Sequence, residues 1–173
     1  MNASRSAFFV IDIQKDLAHD PKTRIPDAER IIYAGENILK FLRGITTFPK
    51  PLIVFVQHEE MPDKGPLVKG TEPWKLCFEN DPRDTFKSNP NLADYLKSEG
   101  IEQIIAFGIQ SECCVLETCK GALQAGFGVT LLNGAHSTYN STEKSALQIE
   151  QDVEEELVAL GASVRPWRHV ISQ

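Results

Sequence analysis

Two adjacent thiols, Cys113 and Cys114, stand where a glycine-led loop passes into a helix-like segment, Gly108-Ile-Gln-Ser-Glu-Cys-Cys-Val115. A thiol at the start of a helix has its thiolate stabilised by the positive end of the helix dipole, which favours a nucleophile. The same turn carries backbone N–H groups without intrahelical partners, and these can face the oxyanion of a tetrahedral intermediate. Asp12 closes the apolar run Ala7–Ile11, and a carboxylate there can take the thiol proton and return it to a leaving nitrogen. Each residue also has a plainer reading. Free cysteines are commonly core residues, and an aspartate at a strand end is a turn former. His58, with no second ligand close in sequence, reads as a polar rim residue or hydrogen-bond partner rather than a metal ligand.

The elements that would position these residues alternate. Ala7–Ile11, Pro51–Gln57 and Gln103–Gly108 are short apolar runs of β-formers, as in strands buried on both faces of a parallel sheet. Gly128–Asn133 and a last short run around Ala162–Arg165 complete the strands. Between them lie a long helix opened by Pro26, a helix over Asn91–Ser98 closed by Gly100, a helix over Glu112–Ala125 closed by Gly126, and a long helix over Ser141–Leu160 closed by Gly161. Right-handed β-α-β crossovers then predict a three-layer α/β/α, Rossmann-like domain with a mostly parallel sheet, one domain over residues 1–173. In such sheets ligands bind beyond the carboxyl ends of the strands. Asp12 and Gln14, then Gln57 and His58, Gly108 to Cys114, and Gly134 to Ser137 are therefore expected on one rim. The stretch from His58 to Asn91 is punctuated by prolines and glycines without a period, and a long irregular insertion of this kind is usually functional.

Composition narrows the partners. The 173 residues carry a formal net charge of −6, which argues against a nucleic-acid surface built of clustered Lys and Arg. No apolar run is long enough for a membrane span, and the amino-terminal residues do not resemble a signal segment. Three of the four cysteines, Cys113, Cys114 and Cys119, crowd into one segment apart from Cys77. That is a poor disulfide framework and not a usual zinc-finger spacing, so reduced thiols in a soluble, cytoplasmic protein acting on a small molecule are expected.

The motifs Val10-Ile-Asp-Ile-Gln-Lys-Asp16, Val54-Phe-Val-Gln-His-Glu59, Gly70-Thr-Glu-Pro-Trp74, Gly108 to Val115 with Thr118, and Ala122 to Ser137 resemble, in order and spacing, the isochorismatase-like cysteine hydrolases. The resemblance implies Asp12 as acid/base and Cys114 as nucleophile, with Cys113 its packed neighbour at the substrate pocket. It implies a cis peptide between Ile109 and Gln110 and an oxyanion hole from the N–H groups of Gln110 and Cys114. Gln14 and His58 would offer polar contacts to the substrate, and Trp74 and Phe86 flat apolar walls. Relatives with a metal near the site carry Asp-x-His after the second strand. Gln57-His58-Glu59 resembles the metal-free branch instead, so neither a metal nor another cofactor is expected. The resemblance also implies that the chain forms a homo-oligomer.

The family also carries a catalytic lysine shortly before a motif like Asp84-Thr-Phe86. Asn80 stands at its place here, about a dozen residues are missing nearby, and Lys75 and Lys87 flank the gap. Lys75 is the substitute carried forward. A cation near the thiol and Asp12 favours the thiolate, and without one Cys114 would stay nearer the free value of about 8.5. Three readings follow: hydrolysis of a small amide or ureido C–N bond through a Cys114 acyl-enzyme, a catalytically impaired binding protein, or hydrolysis of the enol ether isochorismate.

Overall fold

The structure, a computed structural model, describes residues 5–47, 49–78 and 91–172. Five strands, β1 (Ser6–Ile11), β2 (Leu52–Val56), β3 (Gln103–Ile109), β4 (Gly128–Ser137) and β5 (Ser163–Pro166), form one sheet in the order β2-β1-β3-β4-β5. Every pairing is parallel. β1 lies between β2 and β3 and all six of its residues are buried, and the period of two in a strand sends alternate side chains to opposite faces. Phe8 and Val10 join Ile105, Phe107 and Ile109 in one core, beneath α1 (Lys15–Ala18), α2 (Ala28–Gly44) and α6 (Arg168–Ile171). Phe9 and Ile11 join Ile104 and Ala106 in the other, beneath α3 (Leu92–Ser98), α4 (Leu116–Gln124) and α5 (Ala146–Ala159). This is the expected three-layer α/β/α architecture. No helix among the described residues is long and apolar enough to cross a membrane.

The boundaries differ from the sequence expectations where polar chemistry intervenes. β4 continues past Asn133 to Ser137, because its register against β3 slips between Ala106 and Gly108 and Gly134 takes φ +78° within the irregular stretch. His136 and Ser137 are thus fully buried strand residues, where the sequence placed them past the strand end on the rim. α5 starts at Ala146 and not at Ser141. The Ser141 hydroxyl accepts from the N–H groups of Glu143 and Lys144 to make a turn, and Ser145 then caps the helix in a box with Gln148. The segment from Ser111 to Val115 is a π-turn that runs into α4, a wider opening turn than the single α-helix expected.

Candidate active site

The register brings the site together. Ile11 pairs with Val56 on one side and with Gly108 on the other, so the residues after β1, β2 and β3 emerge side by side. Asp12 is 2% exposed and holds φ +49°. Its N–H donates to the Val56 carbonyl at 3.0 Å, which extends the ladder into the site. The peptide bond between Ile109 and Gln110 is cis. The Gln110 carbonyl accepts from the N–H groups of Cys113 (3.2 Å) and Val115 (3.1 Å), which winds the π-turn and sets Cys114 on the rim. One ligand-type atom each from Asp12, His58 and Cys114 lies within 4.8 Å of the other two. A carboxylate, an imidazole and a thiol, distant in sequence, thus share one small volume.

The insertion is strapped to this volume. Cys77 N–H donates to the Ile13 carbonyl (2.9 Å), Lys15 N–H to the Lys75 carbonyl (2.8 Å), and Gln14 bridges to Leu76. Gln14 was expected as a polar contact for substrate, but its amide is fully buried and engaged with backbone. It donates to the carbonyls of His58 (3.0 Å) and Trp74 (2.8 Å) and accepts from His58 N–H (2.9 Å). Gln57 also donates to the Trp74 carbonyl (3.0 Å). Two glutamines therefore fix the loops carrying His58 and Trp74. The indole N–H of Trp74 is buried with no hydrogen-bond partner among the described residues.

Lys75, carried forward as a substitute for the family lysine, is engaged with a surface carboxylate. Its ammonium is exposed and pairs with Glu72 at 2.6 Å, and Lys15 pairs with the same carboxylate. Together the two cations hold the Glu72 carboxyl at about 2. Asn80, Phe86 and Lys87 lie outside the described residues.

The four thiols differ in environment. Burial pushes Cys119 up to about 12 and Cys77 to about 11, the latter slightly opposed by Lys15. Cys113, expected to pack beside Cys114, is instead exposed, and its thiol is raised by partial burial and by the charges of Glu112 and Glu117. Cys114 is half-buried at the mouth of the turn.

Behind the turn lies a polar network that sequence reasoning missed. Ser111 Oγ is 2.9 Å from His136 Nδ1, and His136 Nε2 is 3.1 Å from Glu154, which also accepts from Asn133 at 2.7 Å. Burial opposes ionisation of Glu154, but its bonds with His136 and Asn133 and the charges of His136 and Arg30 outweigh that and lower its pKa. Arg30 on α2 meets the buried Glu150 at 2.6 Å, and Ser137 donates to the same carboxylate at 2.5 Å. Helices from opposite faces are thereby tied across the end of β4. The available signal was Glu150 and Glu154, two acids four residues apart beside the apolar Val153 and Leu157 stripe of α5.

The isochorismatase domain pattern matches residues 6–155. A streptothricin hydrolase of Streptomyces noursei is 30% identical over 145 residues, 78% of this chain and 55% of that protein. The chain spans about half the length of the streptothricin hydrolases it matches. Among solved structures, a cysteine hydrolase from Pseudomonas syringae pv. phaseolicola superposes with a TM-score of 0.83 at 15% identity, covering 99% of this chain and 93% of that one. An isochorismatase-like hydrolase from Alkaliphilus metalliredigens gives 0.82 at 22% identity, covering 99% and 98%. With the domain pattern running from β1 into α5, this chain belongs to the isochorismatase-like hydrolase family.

Proposed function

We propose that the protein hydrolyses a small amide or ureido C–N bond through an acyl-enzyme on Cys114. The observation that carries this reading is the shared volume of the Asp12 carboxylate, the Cys114 thiol and the His58 imidazole, all within 4.8 Å. In the proposed reaction Asp12 accepts the thiol proton as sulfur attacks the substrate carbonyl. The N–H groups of Gln110 and Cys114 receive the developing oxyanion. As the tetrahedral intermediate collapses, the C–N bond breaks and Asp12 delivers its proton to the leaving nitrogen. Asp12 next takes a proton from water, whose oxygen attacks the thioester. The carboxylic acid leaves, and the proton returns to sulfur. His58 is set to contact the polar part of the substrate. Cys113 and Trp74 border the pocket, and Gln14 acts through the loops it holds.

Fold context alone does not choose a substrate. Enol ether hydrolysis needs no attacking thiol, and the proximity of Cys114 to a carboxylate favours amide chemistry over it. The test is mass spectrometry of the protein quenched during turnover of a panel of small primary amides and ureido compounds. The expected result is an acyl adduct on the Cys114 peptide, with turnover lost in Cys114→Ala and Asp12→Asn. Undiminished hydrolysis by Cys114→Ala would overturn the reading.

A further inference from the structure

We propose that Asp12, His58 and Cys114 also form a binding site for a thiophilic divalent cation of the zinc or cobalt class, and that a cation held there reversibly caps the thiol. The three ligand atoms already lie within 4.8 Å of one another. Zinc bonds of roughly 2.0–2.3 Å in tetrahedral array place ligand pairs roughly 3.3–3.8 Å apart, so side-chain adjustments of about 1 Å close the site. The ligands come from different strand ends. Asp12 follows β1, His58 follows β2 and Cys114 lies in the turn after β3, so a parallel ladder fixes their spacing. Two anchors hold the backbone of the first two: Asp12 N–H on Val56, and His58 N–H on Gln14. The Glu60 carboxylate, 4.0 Å from His58 Nε2 and itself accepting from Leu67 N–H, adds negative charge beside the ring.

The donor set selects the class of ion. One sulfur, one nitrogen and one carboxylate oxygen suit zinc or cobalt, whereas magnesium and calcium ask for six or more oxygens. A thiolate and a carboxylate match the double charge of the ion, and three protein ligands leave a fourth position for water. On binding, the Cys114 S–H bond is replaced by a sulfur–metal bond and the proton leaves to solvent. A sulfur lone pair and the Asp12 carboxylate are then engaged, so neither is available for the proposed hydrolysis. The inhibition rests on that reading of function, but the binding does not.

The test is anaerobic titration of the reduced, full chain with cobalt(II) in chelator-stripped buffer. The expected result is one equivalent giving a near-ultraviolet thiolate-to-cobalt band with visible bands of tetrahedral coordination, both bleached by zinc. Cys114→Ser removes the near-ultraviolet band, and His58→Ala weakens cobalt binding about tenfold or more. Cys113→Ala and Cys77→Ala retain the spectrum, and thermal melts confirm that each variant is folded. Absence of the band at millimolar cobalt, its survival in Cys114→Ser, or its loss in Cys113→Ala overturns the proposal. A chain that forms the band but cleaves no amide refutes the proposed function and leaves the cation site standing. Amide turnover without the band, unaffected by zinc, overturns the cation site alone.

Discussion

Gly108→Ala tests whether the sheet itself sets the geometry of the site. Gly108 holds φ +139°, and a Cβ built there would lie 2.0 Å from the Ile11 carbonyl oxygen and 2.8 Å from the Ile11 nitrogen and carbonyl carbon. These are backbone atoms of the adjacent strand β1, one residue before Asp12, and no side chain can rotate to make room. A carbon needs roughly 3.3 Å from a carbonyl oxygen, so β1 and β3 must part by about 1 Å. The backbone strain costs about 1–3 kcal/mol and the overpacking a similar amount, or about 4 kcal/mol together. For a domain of this size each kcal/mol is about 2–4 °C in Tm, so the variant should melt about 8–16 °C lower. The folded fraction carries Asp12 about 1 Å out of place relative to Cys114, which under the proposed function lowers kcat/KM on the order of a hundredfold. Gly121→Ala is the control, because nothing lies within 4 Å of its Cβ in α4 and it should hold or slightly raise stability. Scanning calorimetry with amide turnover reads both effects. A Gly108→Ala protein that melts within about 2 °C of the parent and keeps full activity would refute the reasoning.

Two further outcomes follow from the charges. With Cys77 at about 11 and Cys119 at about 12, both thiols stay protonated near neutrality. Iodoacetamide at pH 7.5 should therefore label Cys114 first and Cys113 more slowly, as read by peptide mapping, and labelling of Cys77 ahead of Cys114 would contradict this. Glu154 has a folded pKa below its ordinary 4.5. Its stabilising contribution is therefore fully present above pH 4.5 and is lost as pH falls through the lower folded value. The gap in urea midpoint between the parent and Glu154→Gln should narrow as pH drops from 6 to 3, and a constant gap would sink the assignment.

What could be read in the sequence was whatever depends on local pattern. Continuous apolar runs such as Ala7–Ile11 revealed strands covered on both faces, and Gly100, Gly126 and Gly161 marked helix ends where the structure has positive φ. The strand ends then gathered Asp12, His58 and Cys114. What escaped depends on long-range pairing. The amide of Gln14 could serve a ligand or two loops equally well, and only its contacts with His58 and Trp74 decide. His136 looked like a rim residue until the register slip of β4 drew it into the interior, against Ser111 and Glu154. The short helices α1 and α6, four residues each, are too brief to display a period. Lys75 shows the limit from the other side: nearness in sequence to a gap in a motif said nothing about which carboxylate it would meet.

The positive φ of Asp12 bears on how the protein has been shaped over time. A left-handed backbone costs a residue with a Cβ on the order of 1 kcal/mol or more, and glycine almost nothing. Mutation under selection for a durable fold alone would drift such a position toward glycine, with asparagine also tolerated. Either change removes the carboxylate. At this strand end the residue that relaxes the backbone most and the residue able to carry out the proposed acid/base chemistry differ, and the chain carries the aspartate. Under the proposed function, the strain at Asp12 is what keeping a carboxylate at this strand end requires, and glycine would relieve it.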